Sequence, residues 1–240
     1  MSATSIRLFV ETPLHENAAV TLSEAQSHYL SHVMRLGVGD TLRLFNGVAG
    51  EWQAGVENIA RKAVSLTVRQ QTRAPEREPD CWLCFALLKR QKTDLVVEKA
   101  TELGVSVIQP VITARTQADH VNLERLRSIA IEAAEQCERL IVPEIRAPLP
   151  LAKLMQSWPA RRLYVADERR TAAVLKPDPD AALPSALMIG PEGGFTGAEL
   201  EGIAATPLVT RVSLGRRILR AETAAIAGLA LLLSSDPSEE

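Results

Sequence analysis

Met188-Ile189-Gly190-Pro191-Glu192-Gly193-Gly194-Phe195 and, further along, Leu214-Gly215-Arg216-Arg217-Ile218-Leu219-Arg220-Ala221-Glu222-Thr223 carry the reading of this chain. Each follows a run that reads as a buried strand, Ala186 to Gly190 and Leu208 to Leu214, and each leads toward a helix. Both therefore sit at strand ends, where α/β proteins place ligands. Gly190, Gly193 and Gly194 permit close approaches that a side chain would block, and Thr196-Gly197-Ala198-Glu199 is a capping box that opens the next helix. Exposed amides in such a loop can meet the edge of a flat heterocycle or an anion. A tight strand-to-helix turn explains the glycines equally well. The loop has neither the spacing and Lys-Ser/Thr pair of a phosphate-binding P-loop nor the dinucleotide pattern G-x-G-x-x-G. In the second stretch Arg216, Arg217 and Arg220 crowd beside Glu222 and Thr223. Like charges so close repel unless a polyanion or carboxylates balance them, although one such cluster can also be a solvated face.

Outward from these loops the pattern alternates strand and helix, the mark of a parallel sheet covered on both faces. Strands are expected at Trp82 to Leu88, Val105 to Ile112 and Arg162 to Ala166. A helix is expected from Thr93 to Leu103, stopped at Gly104. Another is capped by Asn122 and presents Leu123, Leu126, Ala130, Ala133 and Cys137. Ala224 to Leu233 is apolar nearly all round, which requires a deep core or a dimer interface. Arg73 to Pro79 carries two prolines and no large apolar side chain, a linker composition. Before it the chain is strand-rich, with half-buried antiparallel strands at Ile6 to Val10, Thr41 to Phe45, Glu51 to Ile59 and Val64 to Arg69. One helix interrupts them, opened by the capping box Ser23-Glu24-Ala25-Gln26, with Tyr29, Leu30, Val33 and Met34 as its apolar face and Gly37 as its stop. The expected organisation is a small β-barrel domain over 1–72, a linker over 73–79 and an α/β domain over 80–240.

A chain of 240 residues suits two domains, and 46% hydrophobic with 23% charged residues is ordinary for a folded protein. With 27 Lys and Arg against 29 Asp and Glu, the formal charge is -2, so any nucleic-acid contact must use local patches. No signal-like start and no uncharged run of roughly 18 residues is present, which reads as a cytoplasmic protein with no membrane partner. The three cysteines read as reduced thiols. Cys81 and Cys84 fall on one strand with thiols on opposite faces, and His28 and His32 lack the acidic neighbour of a zinc motif, so no metal is expected. Arg161-Arg162 and Arg169-Arg170 read as solvated, and the acidic tail Ser234 to Glu240 as a fraying end.

Taken together, Ile189 to Phe195 and Leu214 to Ala224 resemble the signature of the RsmE family, SPOUT-class methyltransferases that form N3-methyluridine in small-subunit (16S) ribosomal RNA. The likeness extends to His28 with Val33-Met34-Arg35-Leu36 and Gly39-Asp40, to Glu98-Lys99-Ala100-Thr101-Glu102-Leu103-Gly104, and to Glu132-Ala133-Ala134-Glu135-Gln136-Cys137, and so spans the chain. It implies a PUA-like RNA-binding domain, a SPOUT domain with a trefoil knot, a homodimer and S-adenosyl-L-methionine as cofactor. General topology rules lead to an unknotted sheet, and only the resemblance supplies the knot.

By the same resemblance, Ile189, Gly190, Glu192, Gly193 and Gly194 form one wall of the cofactor pocket. Leu214, Gly215, Ile218, Leu219 and Ala224 form another, and Tyr164-Val165-Ala166 the remaining one. Arg217 or Arg220 would stabilise negative charge on the uracil oxygens, with Glu222 orienting an arginine or assisting proton removal. RNA contacts are expected from Arg7, His28, Arg35 and Arg43 in the first domain and from Lys89, Arg90 and Lys92 in the second. The competing readings are a SPOUT enzyme with another target, such as a ribose 2′-oxygen, and a non-catalytic RNA-binding adaptor.

Overall fold

The structure is a computed structural model that describes residues 6–61, 63–116, 120–167, 172–176 and 183–233. Arg169-Arg170 and the tail 234–240 lie outside the described residues. The chain forms two compact units, Met1–Arg77 with Ala134–Val142, and Glu78–Ala133 with Pro143–Glu240.

The first unit is a five-stranded sheet in the order β1-β3-β4-β5-β2. Its strands are β1 (Arg7–Phe9), β2 (Ala19–Thr21), β3 (Thr41–Asn46), β4 (Gly50–Ile59) and β5 (Val64–Arg73). Alternation decides the faces: Leu42 and Leu44 of β3, and Leu66 and Val68 of β5, are buried with Leu8, Val20, Leu30 and Val56 in one apolar cluster. β3, β4 and β5 pair antiparallel, as expected, and β2, which the sequence did not mark, pairs antiparallel with β5. β1 instead pairs parallel with β3, because the long connection between them, which contains β2 and the helix α1 (Glu24–His28), gives the chain room to cross over.

Among the described residues β1 and β2 do not pair. α1 bridges this side of the unit: the Gln26 side-chain amide donates to the Phe9 carbonyl, and the Ser27 hydroxyl accepts from the Val64 N–H. The capping box of Ser23 and Gln26 is formed. Of the expected apolar face only Leu30 is buried, whereas Tyr29, Val33 and Met34 are exposed. The reason is local: Tyr29–Val33 form a π-helical turn, which shifts the period that an α-helix would keep.

A buried ion pair organises this unit. Arg7 donates from Nε to Glu51 Oε2 at 2.6 Å, and its remaining nitrogens reach the carbonyls of Ala134, Glu135 and Arg139. Its guanidinium also lies 4.2 Å from the centre of the Phe45 ring. Arg7 is 7% exposed, so the expectation of an RNA contact there is corrected: all its donors face inward. Phe45, Ala134 and Leu140 pack together beside it, and Glu135 accepts from the Phe9 N–H. Residues 134–142 thus return to the first unit, which a division at a single linker does not anticipate.

The second unit is a seven-stranded parallel sheet, β12-β10-β11-β6-β7-β8, with β9 also pairing β7. The strands are β6 (Cys81–Ala86), β7 (Val107–Ile112), β8 (Glu144–Ile145), β9 (Leu149–Pro150), β10 (Arg162–Ala166), β11 (Ser185–Ile189) and β12 (Val209–Val212). Helices α2 (Arg90–Glu102), α3 (Leu123–Gln136), α4 (Leu151–Gln156), α5 (Gly197–Ala204) and α6 (Ala221–Leu233) accompany them. α3 is capped by Asn122, which accepts from the Arg125 N–H, but Leu123 and Cys137 at its ends are exposed.

Central β6 is buried on both faces, and burial pushes the Cys81 and Cys84 thiols up to about 11 and about 12. Arg161, expected to be solvated, is 5% exposed; it pairs with Asp80 at 2.9 Å and stacks on Trp82 at 3.8 Å. After edge strand β12 the chain returns to the middle of the sheet, where α6 packs on β11, β6 and α2. Gly228 permits this approach, since a Cβ there would lie 2.7 Å from Leu187 Cδ2. Among the described residues no helix is long and apolar enough to cross a membrane, and no three His, Cys, Asp or Glu side chains group as metal ligands.

The Glu51 carboxyl is raised by burial, but hydrogen bonds from Arg7 and Thr72 and the charges of Arg7 and Arg43 outweigh this and hold it below its usual 4.5. A lowered folded-state pKa stabilises fully above the unfolded value, and that stabilisation is lost as pH falls through the folded one. Glu51→Ala is expected to lower unfolding free energy at neutral pH by about 3–5 kcal/mol, because it strands a buried guanidinium. Urea unfolding followed from neutral pH down to about pH 3 should also show a flatter acid limb for Glu51→Gln; an unaltered profile contradicts the role given to the pair.

Candidate active site

Strands β10, β11 and β12 run in one direction, and the three segments leaving them form a single cavity of about 290 Å³. The segment after β11 is shaped by glycine. A Cβ at Gly190 would lie 2.9 Å from the Phe195 ring, so the bare backbone lets that ring pack against it. Gly194 adopts a φ of 69°, and its N–H closes a turn on the Pro191 carbonyl at 2.8 Å. The capping box of Thr196 and Glu199 starts α5 as the pattern required. The other Glu199 oxygen accepts from the Ala114 N–H at 2.7 Å, and the Arg115 guanidinium donates to the Gly193 carbonyl. The loop after β7 therefore braces the glycine loop from behind.

Ile189, Gly190, Glu192 and Gly194 line the cavity on one side, and Leu214, Gly215, Ile218 and Leu219 on another. Ala224 joins them from α6, and Val165 and Ala166 from the end of β10. Gly193 is corrected: it faces Arg115, whose Cδ would lie 3.2 Å from an added Cβ, and is outside the lining. Tyr164 is likewise buried in its strand rather than in the lining. The lining also contains Asp167 and Arg211, which form an ion pair between the end of β10 and β12, and Phe195, Leu200 and Ser213. Sequence reasoning missed these, and only the position of Asp167 directly after a strand pointed to it.

Arg217 and Arg220 line the cavity with exposed side chains. Glu222 stands outside the lining, in the first turn of α6, with its side chain 12% exposed. It faces Lys92, whose Nζ lies 3.1 Å from Glu192 Oε1 and 3.3 Å from Glu222 Oε2. The second contact is a charge pairing out of hydrogen-bond alignment, and it leaves Glu222 Oε2 without a hydrogen bond. The Glu192 hydrogen bond, with Glu222 beside it, raises the Lys92 pKa above 10.5 against partial desolvation. The expectation of an RNA contact from Lys92 is therefore corrected: it is a cation held between the glycine loop and α6.

Lys89 and Arg90, at the start of α2, are exposed. In the first unit His28 and Arg35 are exposed, and the His28 ring stacks on His32 at 4.6 Å. Arg43 is half-exposed and contributes a 3.2 Å contact to the Glu51 pair.

Residues 75–233 match the family model of an RNA methyltransferase domain, and residues 22–69 that of an RNA methyltransferase PUA domain. The chain is 37% identical over 227 residues to the ribosomal RNA small subunit methyltransferase E of Rickettsia conorii, covering 93% of each. Its identity to the protein of that name from Synechocystis is 35% over 236 residues, covering 93% of this chain and 76% of the other. Among solved structures, a Legionella pneumophila protein named as a methyltransferase, in complex with the cofactor SAM, has a TM-score of 0.88 at 28% identity, covering 97% of this chain and 98% of that one. The ribosomal RNA small subunit methyltransferase E from Neisseria gonorrhoeae, bound to S-adenosyl methionine, has a TM-score of 0.84 at 26% identity, covering 94% and 95%. With a PUA domain, a parallel-sheet methyltransferase domain and relatives matched along nearly its whole length, the chain belongs to the ribosomal RNA small subunit methyltransferase E family.

Proposed function

We propose that this chain methylates N3 of a uridine in small-subunit (16S) ribosomal RNA, with S-adenosyl-L-methionine as cofactor. The observation that carries the reading is the cavity in which two main-chain-rich loops and the start of α6 meet beside two exposed arginines. The cavity fits this cofactor in its donor set: loop backbone and small apolar side chains suit an adenine edge, and no triphosphate-binding loop is present. Residues 189–194 except Gly193, with Leu214, Gly215, Ile218, Leu219 and Ala224, would hold it. When bound, the cofactor supplies a methyl group activated by a positively charged sulfur.

The uridine demands more, because its N3 carries a proton and is a poor nucleophile until that proton leaves. Arg217 and Arg220 supply positive charge for the uracil oxygens as negative charge develops there, the principle of an oxyanion site. Glu222, held by Lys92, orients Arg220 or receives the N3 proton. His28, Arg35, Lys89 and Arg90 are the exposed groups assigned to RNA phosphates, with Arg43 as a weaker contributor.

The reading includes a SPOUT trefoil knot, supported by the return of α6 from edge strand β12 to the sheet centre. It also includes a homodimer, supported by α6, whose Ala230 and Leu231 are exposed and whose Ile226, Leu232 and Leu233 are half-exposed, and a place in the cytoplasm, supported by relatives named as ribosomal RNA methyltransferases. The first 77 residues, with 134–142, are the PUA-like RNA-binding part.

Incubation of unmodified small subunits with labelled cofactor, followed by nucleoside digestion, should yield N3-methyluridine. A ribose-methylated product, or no incorporation together with no saturable heat on cofactor titration, overturns the reading. Arg220→Ala is expected to lower kcat by about 10²-fold or more while cofactor affinity, measured by calorimetry, stays near that of the parent. Collapse of cofactor binding would make its role structural. Lys92→Met, which releases both carboxylates, should lower kcat at least about tenfold, a change of about 1.4 kcal/mol in the barrier. Lys92→Arg should restore part of that loss.

A further inference from the structure

The first turn of α2 presents side chains in two directions. Lys92 faces the carboxylates of Glu192 and Glu222, while Arg90, Thr93 and Asp94 line a second cavity of about 360 Å³ that the catalytic reading does not use. This cavity opens where the chain leaves β6, at the strand ends of a parallel sheet, the side on which such sheets place ligands.

Its lining combines three kinds of group. Leu87, Leu88 and Leu126, each at most 3% exposed, form an apolar floor. One wall is the Asp94 carboxylate, gripped by two Arg125 nitrogens at 2.7 and 2.5 Å. That bidentate pair satisfies the carboxylate within the protein and fixes the guanidinium plane. At the rim stand Arg90, His120 and Asn122, all exposed. The Asn122 side-chain oxygen is taken by the Arg125 N–H as the cap of α3, which leaves its amide N–H groups as donors. Because Arg125 neutralises Asp94, the charge of Arg90 is the net charge of the lining when His120 is neutral.

An apolar floor, polar edge groups and a cation, Arg90, with no carboxylate partner among the described residues match the parts of a nucleotide: a base face, a base edge and a phosphate. The volume falls within the roughly 300–1,000 Å³ of small-ligand sites. Lys92, which faces Glu222, shares one turn of α2 with the cavity residues Arg90, Thr93 and Asp94, and a helix is about 10–12 Å across, so a nucleotide close in sequence to the methylated base can span that distance. Proteins read single-stranded RNA by splaying bases apart and contacting their edges, and an enzyme acting on a base must take that base out of its stack. We propose that the second cavity holds an unpaired nucleotide neighbouring the target uridine, and so helps to select the site of methylation. This subsite rests on the proposed RNA methyltransferase activity.

The test uses the full chain with Val121→Trp, which fills the cavity from its half-buried wall, and with His120→Ala and Asn122→Asp, which alter only exposed rim groups, the latter removing the amide donors while keeping the capping oxygen. Methylation of unmodified small subunits is measured alongside cofactor calorimetry, thermal unfolding and photo-crosslinking to subunits carrying 4-thiouridine. Expected are KM values for the subunit raised at least tenfold for Val121→Trp and several-fold for the rim variants, with kcat and cofactor affinity within twofold of the parent. Crosslinks should map to 87–94 or 120–126 and disappear in Val121→Trp. Unchanged KM in the two rim variants, with crosslinks elsewhere, overturns the subsite while leaving the methyltransferase reading intact. A parent protein that crosslinks at this cavity but incorporates no methyl group overturns that reading and keeps the cavity as an RNA site. Saturable binding of uridine 5′-monophosphate that leaves subunit binding undisturbed would assign the cavity to free nucleotides and overturn the subsite.

Discussion

The return of the chain from edge strand β12 to the centre of the sheet is the constraint on which the site depends. α6 lies against β11, β6 and α2, and the segment 214–220 must fold back over the strand ends to reach it. Gly215, at a φ of 122°, accepts a backbone that an ordinary residue would resist. Gly228 lets the helix settle on Leu187. Had α6 continued outward from β12, Leu214, Leu219 and Ala224 would not face Ile189 and Gly190, and the cavity would lose two of its walls.

Charge placement divides the arginines into two populations. Arg7, Arg161 and Arg125 are paired with Glu51, Asp80 and Asp94, of which Glu51 is fully buried, Asp94 half-buried and Asp80 exposed. They join segments that are distant in sequence, and the buried pair of Arg7 and Glu51 costs much to break even where it adds little net stability. Arg217 and Arg220 stay exposed at the cavity, where their charge is available to an incoming oxyanion. Lys92 belongs to neither group. It couples the glycine loop to the first turn of α6.

Local signals were legible wherever a single residue type has one physical use. The capping boxes at Ser23 and Thr196, the Asn122 cap and the stop at Gly104, whose φ is 95°, all follow from backbone groups that need a partner within a few residues. The alternation in β3 and β5 placed their core faces. The apolar face over Tyr29 to Met34 failed because a π turn changes the helical period without a residue-level mark.

By itself, the sequence determined the two parts of the chain, the strand-to-helix punctuation around both glycine-bearing loops and, through their resemblance to one family, the kind of chemistry to expect. Tertiary structure alone decided which charges remain available. Whether Arg7 meets RNA or Glu51, and whether Lys92 meets phosphate or two carboxylates, depends on partners far along the chain. It also decided that residues 134–142 join the first unit and that Arg115 supports the glycine loop. The reason is range: caps and alternation are satisfied within a turn or a strand, whereas an ion pair is set by whichever segments the packed core brings within a few ångströms, and no local pattern encodes that.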